Sequence, residues 1–288
     1  MKRKTFFILI ISLTAHLLLN AQTLVEVVEF ANQEFKKGNY TIASKEYNRA
    51  FFFGYEKKDE LSLQIAHCYA QMNDLDLASD FYNKAFRLSN NDSLKDEAIL
   101  NNAFVLLLQE KQAQALNELF NLSGSAQLEQ QIQYHFLKGI AYYGLYNDST
   151  ALDEFVQSIQ LQAHGQLAEI TLQEEFKKVF HYHKRYNPQR SYVMSGILPG
   201  SGQLSVGAIQ EGVNSMLLIG GLYLIAVGIM QNYSFWDAAI ALFPWIQRYY
   251  LGGMDKAKTL AISKIETKRY ESYLKIIELT MPDSFEEQ

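Results

Sequence analysis

The first hydrophobic segment of the chain directly follows a positively charged amino terminus. Basic residues at positions 2–4 precede an almost wholly apolar stretch from Phe6 to Leu19, and Ala21 then offers a small residue for cleavage. This order is typical of a secretory signal peptide, which we predict over residues 1–21. The apolar stretch is shorter than the roughly 20 residues that span a bilayer. Its length therefore favours cleavage over the alternative, an uncleaved signal anchor.

Small residues then recur through the first half of the chain at a nearly constant spacing. Members of one set are separated by 35, 37 and 36 residues: Ala43, Ala78, Ala115 and Ala151. A second set lies twelve residues before these: Ala31, Ala66, Ala103 and Gly139. A bulky residue follows each member of the first set by four positions: Tyr47, Tyr82, Leu119 and Phe155. The pattern predicts four pairs of amphipathic helices, closely packed at the small residues and filled by the bulky ones.

Turn-forming residues separate the two predicted helices in three of the four units. They are Gly38-Asn39, Asn73-Asp74 and Asn147-Asp148. Glycine, asparagine and aspartate favour tight turns because they tolerate a left-handed backbone or bond to it. The third unit has no clear turn residue.

The repeat resembles the tetratricopeptide repeat family, whose units are about 34 residues long. The first unit matches at Phe30-Ala31, Gly38-Asn39-Tyr40, Ala43, Tyr47 and Ala50, and the second at Ile65-Ala66, Tyr69, Ala78, Tyr82 and Ala85. The resemblance covers residues 22–165, although no unit contains the tryptophan or the terminal proline of the family. It implies an all-α solenoid of about four units with a concave groove that binds peptides or protein surfaces. The matching positions predict these groove-facing residues: Asn32, Phe35, Lys36, His67, Gln71, Phe104 and Tyr143. The alternative is that they only pack between helices.

The second half of the chain begins with a charged helical connector over residues 166–190 and then changes character. No charged residue occurs from Gly212 to Trp236, so Val213–Met230 is a predicted transmembrane helix. Ala238–Met254 is a weaker second span because it contains Pro244 and Arg248. We therefore predict a transmembrane helical hairpin domain over residues 191–254 and a polar helical tail over 255–288. The alternative is a buried hairpin of a soluble helical domain.

A glycine-rich string precedes the first predicted span. Its key residues are Pro199, Gly200, Gly202, Gln203, Gly207 and Gly212. The string is similar to the Pro-Gly-x-Gly-Gln element that opens small two-helix membrane domains of Bacteroidetes envelope proteins, and Tyr250-Leu251-Gly252-Gly253 resembles their closing element. This resemblance covers residues 191–260 and implies a location rather than an activity. Since proline and glycine break helices and permit close approach, we expect a membrane-entry loop here. A phosphate-binding loop is excluded because Gly202 is followed by Gln203 rather than by lysine.

Two sequence signals conflict about the orientation of the hairpin. The signal peptide predicts export of the repeats, which places the chain in a bacterial cell envelope, in the inner membrane with the repeats in the periplasm. Basic residues flank the hairpin on both sides, whereas its connection at residues 231–235 has none, and the positive-inside rule would put both flanks in the cytoplasm. Because long domains are translocated largely regardless of charge, we follow the signal peptide.

The composition of the chain excludes several kinds of chemistry. A net charge of −5 differs from the basic footprint of a nucleic-acid binder. The single Cys68 excludes an internal disulfide and a thiolate metal cluster. His181 and His183 are the only clustered histidines, and two residues apart on a helix they point to different faces. We therefore predict no enzyme, no catalytic residues, no metal and no cofactor.

These observations favour a membrane-anchored scaffold that captures a protein partner with its repeats and contacts membrane lipid through its hairpin. The alternative is a hairpin that oligomerises, as a pore or as a factor that inserts and assembles membrane proteins, with the repeats regulating it.

Overall fold

A computed structural model describes residues 22–124, 126–162 and 166–282 of the chain. All regular elements among these residues are helices, which confirms the predicted all-α class. The predicted signal peptide at 1–21 lies outside the described residues. The chain divides between Ala163 and His164 into two compact units.

The described residues of the first unit form eight helices in sequence. They are α1 (Leu24–Lys36), α2 (Tyr40–Phe52), α3 (Lys58–Gln71), α4 (Leu75–Leu88), α5 (Asp92–Leu108), α6 (Gln112–Leu119), α7 (Leu128–Gly144) and α8 (Asp148–Leu161). Helices pack in the pairs α1–α2, α3–α4, α5–α6 and α7–α8, and each pair also contacts the next one along the chain. Short turns within the pairs make the paired helices antiparallel.

The small and bulky residues of the repeat pattern form the interior of these pairs. The seven alanines of the two small sets are all fully buried, and Gly139 is buried as well. The four bulky residues are at most 2% exposed. In the last pair, a Cβ built on Gly139 would lie 2.7 Å from the ring of Phe155. The expected close approach of paired helices at these positions is therefore present in the structure.

A left-handed residue ends the first helix of every pair, including the third. These residues are Gly38, Asn73, Glu110 and Tyr146, with φ between 58° and 79°. In each turn the residue that follows donates its N–H to the carbonyl oxygen five positions earlier, for example Asn39 to Glu34 and Lys111 to Leu106. This is the bond that closes a Schellman turn, and it satisfies a carbonyl at the helix end. The four backbones are alike although only Gly38 and Asn73 are residue types that commonly adopt this conformation.

Five helices are formed by residues 166–281 of the second unit. They are α9 (Gln166–Arg185), α10 (Pro188–Ile197), α11 (Ser201–Ser205), α12 (Ile209–Asn232) and α13 (Phe235–Thr280). Of the described helices, only α12 is long and apolar enough to cross a membrane. The predicted second span is the beginning of α13, which continues for 46 residues through Pro244 and into the polar tail. The tail half of α13 packs against α9. Its buried residues are three or four positions apart: Ala257, Ala261, Ile265, Arg269, Ser272, Ile276 and Thr280.

Two glycines of α12 lie in open space rather than at a helix contact. Gly221 and Gly228 lie two turns apart, a spacing that suits close helix packing. A Cβ built on either would have no atom within 4 Å. Close approach occurs instead near the start of α12, where a Cβ on Gly253 would lie 3.1 Å from the Ser215 hydroxyl.

Candidate functional site

One cavity of the first unit is a groove formed mainly by the first helices of successive pairs. It has a volume of about 730 Å³. Helices α1, α3 and α5 and the segments that precede α3 and α5 supply nearly all of its lining: Val28, Asn32, Phe35, Lys36, Tyr55, Glu60, Leu61, Leu63, Gln64, Asn91, Ser93, Leu94 and Glu97. Tyr47 of α2 completes it. The groove therefore combines aromatic and aliphatic surface with amides and charges of both signs, the kind of mixed surface that binds a peptide.

Three predicted groove residues lie together in this cavity. Asn32 accepts a hydrogen bond of 2.6 Å from the Tyr47 hydroxyl through its Oδ1 atom. Phe35 packs edge-to-face on Tyr40 with its ring partly buried, and Lys36 is exposed at the rim. The tyrosine uses one of the two lone pairs of the amide oxygen, so Asn32 can offer its amide NH₂ and the second lone pair to a ligand.

A smaller cavity of about 280 Å³ lies between α3, α4 and α5. It is lined by three further predicted residues, His67, Gln71 and Phe104. His67 Nδ1 lies 3.0 Å from the Tyr82 hydroxyl, in the same arrangement as Asn32 and Tyr47 35 residues earlier. The first two pairs thus each use a buried tyrosine to orient a polar side chain toward a cavity. Leu119 and Phe155, which occupy the tyrosine position in the last two pairs, have no hydroxyl for this purpose.

Tyr143 differs from the other predicted groove residues because it is buried, with 5% of its surface exposed. The end of α7 is closely packed there, since a Cβ built on the neighbouring Gly144 would lie 2.8 Å from the Gln112 side chain at the start of α6. The prediction that Tyr143 faces an open groove is therefore wrong.

Several polar residues of the two cavities were not predicted from the sequence. They include Gln64, Asn91, Glu97 and Asn101. Gln64 lies three positions before His67, and Asn101 three positions before Phe104, so both share a helical face with a predicted residue. That periodicity was the available signal for these two. Asn91 precedes its helix and has no such signal.

A buried charged cluster connects the two helices of the last pair. Glu154 of α8 is 8% exposed and lies 2.7 Å from His135 Nδ1 and 2.5 Å from Lys138 Nζ, both on α7. Burial by itself would raise the pKa of the Glu154 carboxyl. Hydrogen bonds from His135 and Lys138 outweigh burial and hold that pKa below its usual value of 4.5. The cluster has a structural role and holds α7 and α8 together, since the Glu154 carboxylate is paired with the side chains of His135 and Lys138.

Replacing Glu154 with glutamine should make the first unit less stable by about 1–3 kcal/mol at neutral pH. Because the folded-state pKa is depressed, the contribution of Glu154 is present above the unfolded pKa and is lost as the pH falls through the folded one. The difference in Tm between wild type and Glu154→Gln should therefore shrink as the pH is lowered from 7 through the usual glutamate pKa. Asp153→Asn, an exposed neighbour on α8, is the matched control. A difference in Tm that does not change with pH would contradict this assignment.

The glycine-rich string of the second unit, residues 199–212, is a tightly packed segment rather than an open loop. We call this segment the joint. It contains the short helix α11, bounded by left-handed glycines Gly200 and Gly207, with φ of 89° and 82°. A Cβ on Gly200 would lie 2.2 Å from the Gly212 carbonyl oxygen, and one on Gly202 would lie 2.0 Å from the Ser191 carbonyl oxygen. The predicted loop is therefore corrected to a helical turn that only glycine allows to pack this closely.

Gln203 connects this joint to α13. Its side chain is 1% exposed, accepts a hydrogen bond of 2.6 Å from the Ser195 hydroxyl and donates one of 2.9 Å to the Gly253 carbonyl oxygen. The Tyr250 hydroxyl donates to the Gly196 carbonyl oxygen beside it. The Pro-Gly-x-Gly-Gln string and the Tyr-Leu-Gly-Gly string, 50 residues apart, are thus in direct contact. Pro199 is half-buried at the start of the turn.

The groove and the glycine-rich segment use their polar groups differently. The joint uses its polar groups internally, whereas the groove directs amide, aromatic and charged side chains into open space. Burial raises the pKa of the Cys68 thiol to about 12, so this cysteine is an unreactive core residue. No group of three histidine, cysteine or acidic side chains that could hold a metal ion occurs in the described part of the chain. Comparisons with protein-family models and with curated proteins find no match to this chain.

Proposed function

We propose that this protein is a membrane-anchored scaffold of the bacterial cell envelope. Its first unit is a tetratricopeptide-like solenoid that holds a segment of a partner protein in the groove of α1, α3 and α5. Its second unit anchors the chain in the inner membrane through a hairpin formed by α12 and the beginning of α13, with the repeats in the periplasm. The observation on which the binding role rests is the groove itself.

Three properties of the groove support peptide binding. It is built from the corresponding helices of three successive units, so an extended ligand can contact each in turn. Amides such as Asn32 and Gln64 can bond a peptide backbone without regard to its sequence. The groove also contains aromatic side chains, and the ring of Phe35 is partly exposed. Aromatic side chains often contribute most of the affinity in protein interfaces.

Exposure of α12 supports the membrane anchor. The helix has 24 residues. An 18-residue window within it has a mean hydropathy of 2.0, and 6% of this window is buried within the protein. A core helix of a soluble protein would bury most of such a window. Exposed apolar side chains along α12 and α13 include Leu217, Leu224, Ile240 and Phe243. Lipid is the solvent in which this surface is stable.

Site-specific crosslinking in native envelopes tests the groove. A photoreactive amino acid at Gln64, which lines the groove, should crosslink to a defined partner, whereas the same group at the exposed Asp80 of α4 should not. Asn32→Ala and Phe35→Ala should reduce crosslinking from Gln64 because they remove an amide and an aromatic anchor. Protection of the buried Cys68 thiol from labelling provides the control for folding. Equal crosslinking from both positions, or none, would argue against the groove as the binding surface.

Membrane extraction and protease access test the anchor. We expect carbonate washing to leave the full chain in the membrane pellet and protease added to spheroplasts to digest the repeats. Release by carbonate would contradict the anchor, and repeats protected in intact spheroplasts would contradict export. If the isolated hairpin sequence formed conducting channels or promoted membrane-protein insertion, the alternative function would replace the scaffold.

A further inference from the structure

The apolar surface of α12 is shorter than an ordinary bilayer. Its longest stretch without a charged or amide side chain after Ser215 extends from Met216 to Met230, with Tyr223 as the one polar residue. These fifteen residues cover about 22 Å at 1.5 Å per residue. The hydrocarbon core of a typical bilayer is about 30 Å thick. The stretch is therefore too short by about 8 Å, the difference between those two estimates.

The beginning of α13 is shorter still. Asp237 near its start and Gln247 enclose the apolar residues Ala238–Ile246, and Arg248 follows. Nine residues cover about 14 Å of helix. Side chains as long as arginine can extend their charge several ångströms toward an interface, which brings α13 close to the length of α12. Both helices of the hairpin therefore match a bilayer whose hydrocarbon core is thinner than usual.

The connection between the two helices is too polar to remain in hydrocarbon. Residues 231–237 are all exposed, and they include Asn232 and the hydrogen-bonded pair Ser234 and Asp237. A carboxylate and the open backbone of a turn require water or headgroups around them. Trp236 is 71% exposed beside them, and tryptophan prefers the membrane–water interface. The connection therefore belongs at a headgroup layer, and a hairpin that stops at the bilayer centre is disfavoured.

We propose that the hairpin crosses the bilayer completely and thins it locally to a hydrocarbon thickness near 22 Å, the length of the apolar α12 stretch. The inference rests on the membrane anchor of the proposed function. The partner of this surface is a thin bilayer, with the Trp236 end at one headgroup layer and Arg248 at the other. Lipids around a short helix compress because exposing polar groups to hydrocarbon is more unfavourable than shortening the acyl chains.

Reconstitution of the full mature chain tests this inference. The protein is mixed with phosphatidylcholine vesicles whose monounsaturated chains have 14, 18 or 22 carbons, and bound protein is separated by flotation. Binding to the 14-carbon vesicles should exceed binding to the 22-carbon vesicles on the order of tenfold, because mismatch increases with every added carbon. Binding that is equal for all lengths, or strongest at 22 carbons, would overturn the inference and leave the anchor intact. Failure to float with any vesicle would instead overturn the anchor itself.

A lengthened variant supplies the matched control. Gln231 and Asn232 at the end of α12 are both exposed, and replacing both with leucine extends the apolar stretch of α12 to about 26 Å without removing a buried contact. The optimum for Gln231→Leu/Asn232→Leu should shift to longer lipids relative to wild type. An unchanged optimum would show that hairpin length does not determine the preference.

The two tryptophans of the chain, Trp236 and Trp245, both lie in the hairpin and report its depth. In Trp245→Phe, the remaining Trp236 should be quenched more by lipids brominated at carbons 6 and 7 than at carbons 11 and 12, because it lies near headgroups. Trp236→Phe leaves Trp245, which lies nine residues along α13 and should be the deeper of the two. Stronger quenching of Trp236 by the deep bromines would place the connection at the bilayer centre and overturn the crossing.

Discussion

Replacing Gly202 with alanine should unfold the joint of the second unit or destabilise it by about 1–3 kcal/mol or more, the range for overpacked interiors. The added Cβ would lie 2.0 Å from the Ser191 carbonyl oxygen and 2.5 Å from the Ser195 hydroxyl oxygen. The first of these is backbone, which cannot rotate away, so α10 and α11 must separate. Separation would also break the hydrogen bonds that Gln203 makes to Ser195 and Gly253. We expect a lower Tm, measured in detergent by the change in tryptophan fluorescence.

Gly228→Ala is the matched control for this experiment. Gly228 also lies in a helix of the second unit, but a Cβ there would have no atom within 4 Å. Alanine is more favourable than glycine inside a helix, so Gly228→Ala should be neutral or slightly stabilising. Equal Tm values for Gly202→Ala and Gly228→Ala would show that the close approach of α10 and α11 does not contribute to stability.

The contact between Gly139 and Phe155 should appear as a large coupling in a double-mutant cycle. Gly139→Ala places a methyl group 2.7 Å from a fully buried ring. Phe155→Leu in wild type should destabilise the last pair, because it leaves a cavity. In the Gly139→Ala background the same change relieves the clash and recreates the alanine–leucine pair of Ala103 and Leu119. We expect a coupling energy on the order of 1–3 kcal/mol, measured by urea denaturation.

Phe136→Leu is the control for the cycle. Phe136 is also buried and its ring lies 6.1 Å from that of Phe155, but it is not the ring that a Cβ on Gly139 would meet. Its effect should be similar with glycine or alanine at position 139. Additive effects of Gly139→Ala and Phe155→Leu would show that the last pair adjusts freely around the added methyl group.

The helical class and the interior of the pairs were accessible from the sequence because both depend on short-range periodicity. Small residues such as Ala78 recur at a nearly constant spacing. A small side chain at a helix contact has few roles other than to allow close packing. Six of the seven groove residues predicted from the family resemblance line the two cavities, Asn32 and His67 among them. The prediction failed at Tyr143, because burial depends on which other parts of the chain pack on a side chain, and a match of sequence positions contains no information about that packing.

The turn in the third pair shows another limit of sequence patterns. Glu110 is not a turn residue by type, yet it has a φ of 58°. Packing of α5 against α6 and the bond from Lys111 to Leu106 outweigh the strain of a left-handed glutamate. Local preference therefore misses turns that neighbouring helices impose.

By itself, the sequence determined the properties that belong to single segments: the helical class of the described residues, the absence of charged residues from Gly212 to the end of α12, and the glycines in the string before it. Only the tertiary structure decided which distant segments meet. It placed Gln203 against Gly253, 50 residues away, and showed that Gly221 and Gly228 have open space around them. The physical reason is that helix formation and hydrophobicity depend on neighbours within a few residues. Hydrogen bonds and close approaches between helices depend instead on the whole arrangement of the chain.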